Sequence, residues 1–284
     1  MAFDPFVFLL VLLAAVSHAT WNAFVKAGED KLVSLCLVIF TTSVPCLLIL
    51  PFLAVPAAAS WPFLMISTVV HYFYYAALIG AYRHGDLSLA YPIARGSAPL
   101  LVAAGAWLFA GEELSPLKWL GVLTVSAGIM SLARPSRAQA NDGEVKAIVF
   151  ALLTGLTIAV YSLADGIGVR RSEAEFSYIA WLFVLSGLPM PFIILWCRGG
   201  DSARLTRAHL KIGMFGGVIS GLAYAIVIWA MSVAPIALVV SLRETSVLIA
   251  AAIGSLFLKE AFGRRRIVAA AIIVAGAVLM NLAG

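Results

Sequence analysis

An arginine inside an apolar stretch long enough to cross a bilayer constrains this chain more than any other feature. Residues 91–111 read YPIARGSAPLLVAAGAWLFAG, with Pro92, Arg95 and Pro99 in one half. An arginine at the centre of a membrane helix costs about 2.5–3.5 kcal/mol on insertion scales, so such a residue faces protein or water and not lipid. The feature recurs 148 positions later, where Leu242 to Glu260 reads LRETSVLIAAAIGSLFLKE. Arg95 falls on Arg243, Leu100 on Leu248, Ala103–Ala104 on Ala251–Ala252, Leu108–Phe109 on Leu256–Phe257 and Glu112 on Glu260. With no gap, Ala127–Gly128 then falls on Ala275–Gly276, making nine identities between residues 95 and 130. Leucines and alanines match by chance among apolar helices. A matched intramembrane arginine and a matched glutamate at the same helix end do so less readily. The chain reads as two copies of one unit, each centred on its arginine-bearing helix.

Only 12% of the 284 residues are charged and 63% are hydrophobic, against about 25% charged in a soluble domain. Mean hydropathy is +1.03. These values describe a polytopic membrane protein whose helices pack in a lipid bilayer. The net charge of +5 is no nucleic-acid footprint, because the basic residues sit in short loops, where they set topology. Cys36 and Cys46 lie ten residues apart on one expected helix, too far for a disulfide, and with Cys197 are read as packing residues. The N-terminal run lacks a basic leader and is read as a first transmembrane helix, with a signal peptide as the alternative.

Ten apolar spans of adequate length follow one another. They are expected at about Phe6–Val25, Val33–Leu53, Trp61–Tyr82, Leu89–Ala110, Leu117–Ala133, Val145–Ile167, Tyr178–Cys197, Lys211–Met231, Ala234–Leu258 and Ile267–Leu282. The polar segment RPSRAQANDGE, residues 134–144, separates a first five-helix repeat, 1–133, from a second, 145–284. A second polar loop, RGGDSARLTRAHL, precedes the eighth span. Because each copy has an odd number of spans, the second enters the membrane from the opposite side. The expected fold is therefore an all-α membrane protein of ten transmembrane helices, built as two five-helix inverted-topology repeats. In such architectures the substrate site lies near mid-membrane, between the repeats.

The pattern PIARGSAPLL…GEELSPLKWLGVLTVSAG, its echo LRETSVLIAAAIGSLFLKE and the opening HATWNAFVK resemble the drug/metabolite transporter superfamily. More closely they resemble its ten-span EamA-type members, over essentially the whole chain. The resemblance implies a central cavity lined by spans 1, 3, 4, 6, 8 and 9, with spans 5 and 10 as packing elements. Characterised relatives include amino-acid exporters of the YddG type, and others carry nucleotide sugars or phosphorylated sugars. The second copy departs from the pattern: Gly111 becomes Lys259, and AFGRRR follows in place of LSPLKW.

Polar side chains inside the spans supply the candidate site. Tyr91 and Arg95 share a face of span 4. Arg95 either meets a substrate carboxylate in an aqueous cavity or caps carbonyls freed by Pro92 or Pro99. Arg243 and Glu244 are adjacent, so they point about 100° apart and are not expected to form a same-face pair. Glu244 could instead reach Arg95 across the pseudo-axis, or serve as a proton-coupling carboxylate. On span 1, His18 and Asn22 form one stripe beside Trp21, either as ligand groups or as interhelical hydrogen-bond partners, and Lys26 snorkels to the surface. His71 and Tyr75 stack along span 3, with Tyr82 as an interfacial residue. Tyr161 and Asp165 do the same on span 6, where Asp165 could sit in the interface. Span 8 adds Tyr224, and its Trp229 is read as facing lipid or the interface. The small residues of spans 5 and 10 read as helix packing.

No HExxH, GxSxG or Walker A motif is present, and the four histidines are not spaced as metal ligands. No enzyme activity, metal, cofactor or nucleic-acid partner is expected. The favoured function is a secondary transporter exporting small metabolites, above all amino acids, by alternating access and as a functional monomer. Arg95, Tyr75, Tyr91, Trp21, Asn22, His71, Tyr161 and Tyr224 would bind substrate, and Glu244, Arg243, His18 and Asp165 would couple, to protons for instance, or gate. The rival within transporters is a multidrug, nucleotide-sugar or phosphorylated-metabolite carrier. A membrane-embedded enzyme or a scaffold would need a clustered nucleophile–base pair or fully paired charges, respectively. Fourteen loop-borne Lys and Arg lie on the side opposite the termini and three, Lys118, Arg170 and Arg171, on the same side. The resemblance implies both termini in the cytoplasm, whereas the charge bias puts both outside the cell (inner) membrane, and the expectation follows the charges.

Overall fold

The computed structural model describes residues 4–27, 29–84, 87–133, 142–250 and 264–282, and the regular structure among them is helical. In order these helices are α1 (Pro5–Ala27), α2 (Lys31–Ile49), α3 (Trp61–His84), α4 (Leu87–Phe109), α5 (Pro116–Met130) and α6 (Asp142–Arg170). Then come α7 (Glu175–Gly187), α8 (Met190–Arg198), α9 (Ser202–Val233), α10 (Ile236–Glu244) and α11 (Arg264–Leu282). Seven of the described segments are long and apolar enough to cross a membrane, and α5 is shorter.

Local chemistry explains where these helices start. The Asp30 carboxylate accepts the N–H groups of Leu32 and Val33, both at 3.1 Å, satisfying donors that a helix start leaves orphaned. Asp4 does the same for Phe6 and Val7. Ser115 caps α5, with Pro116 as its first residue.

Three expected spans differ from the structure. The seventh is two helices, because Pro189 and Pro191 interrupt the ladder between α7 and α8. The eighth starts earlier: most of the RGGDSARLTRAHL segment is the first two turns of α9, since its Ala, Arg and Leu are good helix formers. The ninth is interrupted at Thr245, a turn, after which residues 246–250 are again helical. The side chains of Lys26 and Tyr82, the inter-repeat segment 134–141, the end of the ninth span and the echoes at Lys259 and Glu260 fall outside what is described.

One of the two shortest α-helices lies deepest. Every residue of α10 is buried, within a core that draws on α1, α4, α6, α9 and α11. Around it α1 packs on α9, α3 on α6, α2 on α7 and α9, and α4 on α5, α6 and α10. Thr41 and Thr42 of α2 donate to the carbonyls of Gly213 at 2.6 Å and Gly217 at 2.8 Å, joining α2 to α9. The helices α5 and α11 meet backbone to backbone. A Cβ on Gly121 would lie 2.9 Å from the Gly276 carbonyl oxygen, and one on Gly276 would lie 2.8 Å from that of Gly121. Outward-facing Leu48, Phe73, Phe109, Phe192, Trp196 and Phe215 are exposed, as lipid-facing residues are. Cys36 is buried as expected of a packing residue, but Cys197 is exposed, so that reading does not extend to it. Trp229 is partly buried and packs against the main core. The α9 turn on which it sits is covered from several sides.

Candidate functional site

The polar residues of six helices converge around α4 and α10. Pro92 and Pro99 flank Arg95 on α4, and α10 ends at Glu244 immediately before the Thr245 turn. Thus α4 lacks two backbone donors near its charge and α10 ends at its own. Backbone groups left unpaired at membrane depth are tolerated only inside protein or against a cavity.

The Arg95 guanidinium donates through Nη1 to both Glu244 oxygens, at 3.2 and 3.1 Å. Arg95 is 4% exposed and Glu244 fully buried. Arg243 meets the same carboxylate, at 2.7 Å from Nη2 and 3.2 Å from Nε. This corrects the expectation that Arg243 and Glu244 could not pair. Their stems do leave the helix in different directions, but both are long and sit on its last turn, so the guanidinium folds back onto the carboxylate. The result is a buried Arg–Glu–Arg group, two cations to one anion.

On α1, His18 Nε2 lies 2.9 Å from Arg95 Nη2. A guanidinium only donates, so this nitrogen accepts and the imidazole is neutral. The Trp21 indole Nε1 lies 3.3 Å from His18 Nδ1 with the rings edge-on. A neutral imidazole offers one in-plane lone pair, and an indole also only donates. The two donors therefore compete for that one lone pair, and the contact with Arg95 is the shorter. Asn22 donates to the His18 carbonyl of its own helix at 2.8 Å.

Aromatic side chains form the opposite part of the site. His71 stacks on Tyr161, 4.2 Å between centroids, and meets Tyr224 edge-on at 5.8 Å. Its Nδ1 donates to the Ser67 carbonyl at 2.8 Å. Tyr75 lies 6.5 Å from His71. The Tyr91 ring faces Arg95 at 5.3 Å and the Tyr224 ring faces Arg243 at 5.9 Å, both cation–π geometries. Asp165 is fully buried; it points into the bundle and accepts from Tyr178 at 3.2 Å and Tyr224 at 2.5 Å.

All twelve candidate residues therefore lie on α1, α3, α4, α6, α9 and α10. Two that the sequence did not assign to the site hold the helix end beneath them. Glu112 accepts from Ile236 N at 2.8 Å and Ala237 N at 3.3 Å. Arg170 donates to Glu112 at 2.7 Å and to the carbonyls of Met231 and Ala234, each at 2.8 Å. Gly111, at φ +65°, makes the left-handed turn that precedes Glu112. The repeat of Glu112 at Glu260 was the one signal for this latch. Among the described residues no group of His, Cys, Asp and Glu is placed to hold a metal ion.

Comparison with known proteins gives the wider frame. No curated protein matches the chain. A solved structure described as "Crystal structure of protein" superposes with a TM-score of 0.69 at 17% identity, covering 98% of this chain and 96% of that one. At that identity the likeness speaks to fold alone. The model of the EamA-like transporter family matches residues 5–134 and again 145–282. With both halves of the chain matched in this way, the protein is a multi-pass membrane protein of the EamA-like transporter family, in the drug/metabolite transporter superfamily, whose members move small molecules.

Proposed function

We propose that the protein is a secondary transporter that exports small carboxylate-bearing metabolites, amino acids above all, across the cell (inner) membrane by alternating access. The observation that carries this reading is the Arg95–Glu244 contact, in which a cation from the first repeat meets an anion from the second out of solvent. Buried ion pairs stabilise weakly, so a pair kept inside the membrane is best explained by something it does. In the empty site Glu244 neutralises Arg95. An arriving carboxylate competes for the same guanidinium, whose planar donor fork suits it. Tyr75, Tyr91, Tyr161, Tyr224 and His71 supply apolar walls for a sizeable side chain. Release of Glu244 from Arg95 gives a point at which a proton can be taken up.

The helix pairings support ten spans in an inverted repeat. Exchanging the copies turns the α1–α9 interface into α6–α3, and leaves α2–α7, α4–α10 and α5–α11 as themselves. A two-fold relation has that property, and five spans per copy put its axis in the membrane plane. The charge asymmetry of the loops places both termini outside. A reporter fused after Gly284 tests this, and activity confined to the cytoplasm would refute it.

The transport test is exchange of labelled neutral amino acids by reconstituted vesicles. Wild type should exchange them and Arg95→Ala should not, while still inserting and folding. Arg95→Lys should be impaired, because an ammonium cannot bond in bidentate fashion. Equal rates for wild type and Arg95→Ala would remove Arg95 from the site. Exchange of nucleotide sugars or multidrug cations in place of amino acids would favour the other carriers of this fold.

A further inference from the structure

Asp165 stands outside the Arg–Glu–Arg group and carries the opposite imbalance. Its oxygens are met only by neutral hydroxyls, those of Tyr178 and Tyr224 and of Ser67. No ion pair among the described residues includes it. A carboxylate buried in a membrane and held only by hydroxyls lacks one positive charge. Arg95, Arg243 and Glu244 together have one positive charge in excess. The four charges cancel in sum but are laid out as a basic lobe and an acidic lobe. Tyr224 joins the lobes, with its ring 5.9 Å from the Arg243 guanidinium and its hydroxyl on Asp165.

We propose that Asp165 is the ammonium-binding residue of the site, so that the protein selects zwitterions over molecules carrying only a carboxylate or only an amine. The proposal rests on the transport reading above and names the second half of its recognition chemistry. In the empty site the Tyr224 hydroxyl holds the place of an ammonium N–H, as Glu244 holds that of a carboxylate. A zwitterion matches both lobes and leaves the summed charge unchanged. An anion leaves Asp165 unmatched and repelled, and an amine does the same to the arginines, which is selection by an unfavourable contact.

Three probes of similar size separate the charges: phenylalanine, 3-phenylpropionate and phenethylamine. Each is measured twice, as an inhibitor of labelled phenylalanine exchange by reconstituted vesicles and as a stabiliser of the purified protein in thermal unfolding. Wild type should respond to phenylalanine and to neither single-charge analogue at equal concentration. Asp165→Asn should weaken phenylalanine relative to 3-phenylpropionate by about tenfold or more, and Asp165→Glu should restore the wild-type order. Tyr178→Phe removes a hydroxyl from the same carboxylate without changing charge, and should leave the order alone. An unchanged ratio in Asp165→Asn overturns the proposal, as does the same shift in Tyr178→Phe, which would mark Asp165 as a packing group. If Asp165→Asn does not fold, wild type stabilised equally by phenylalanine and 3-phenylpropionate overturns it. Wild type that binds phenylalanine but exchanges none sinks the transport reading, while the unfolding series still decides Asp165.

Discussion

The Glu112 carboxylate accepts the backbone N–H of Ile236 at 2.8 Å, so a side chain from the first repeat caps the central helix of the second. Glu112→Ala removes that cap and the partner of Arg170. A lost cap costs about 0.5–2 kcal/mol, and a favourable anion at a helix start adds a few tenths more. Thermal unfolding of the purified protein should fall by several degrees. Glu112→Gln keeps an acceptor for Ile236 and should lose less. If both variants unfold with wild type, the cap carries no stability.

The Arg–Glu–Arg group predicts an order of damage. Removing one arginine leaves a one-to-one pair with Glu244. Glu244→Gln leaves Arg95 and Arg243 as two buried cations with no counter-ion. Breaking a buried pair costs about 3–5 kcal/mol, and Glu244→Gln should lie at the upper end, below both Arg95→Gln and Arg243→Gln in stability. Melting temperatures of the three single variants check the order, and a Glu244→Gln protein more stable than either arginine variant contradicts it.

At the α5–α11 crossing, Gly121→Ala should destabilise by about 1–3 kcal/mol, because the added Cβ meets the Gly276 carbonyl at 2.9 Å and the Met280 side chain at 2.5 Å. Gly276→Ala should cost a similar amount. The double variant should fall short of the sum, since one forced separation relieves both contacts. Unfolding of the four proteins in one detergent gives the cycle.

Acid should open the contact between α2 and α8. Arg198 donates to Asp30 at 2.6 and 3.1 Å, and this bond, with the N–H groups of Val33 and Leu32, holds the Asp30 carboxyl below its ordinary value of 3.8. A depressed folded value means that the stabilisation is complete above about pH 4 and fades as the pH falls through the folded value. The difference in melting temperature between wild type and Asp30→Asn should therefore be constant near neutrality and shrink below about pH 4. A difference that grows on acidification would give the wrong sign.

The meeting of Arg95 and Glu244 is legible in the amino-acid sequence, because the repeat lays Arg95 on Arg243 and puts Glu244 one residue further on. Ranges and faces of the long apolar helices are legible from their periodicity. What escapes is set by contacts rather than pattern. The Arg243–Glu244 bond depends on two flexible side chains folding together, which helical-wheel geometry does not describe. The cap on α10 joins residues more than 120 positions apart, and nothing local to PIALVV announces it. The helix over residues 202–210 is hidden by its charge, since a polar stretch reads as loop even where its propensity is helical.

Where Gly121 and Gly276 face each other, no side chain separates the backbones of α5 and α11. Helices that touch through ridges of side chains can slip from one groove to the next. Two that touch carbonyl to Cα have no groove to slip into, and can only turn about the point of contact. If the two repeats open one side of the membrane and close the other, this crossing is where the distance between them does not change. The lever arm then grows toward Arg95 and Glu244, so that a tilt of a few degrees at the glycines becomes a break in a hydrogen bond between the arginine of one repeat and the carboxylate of the other.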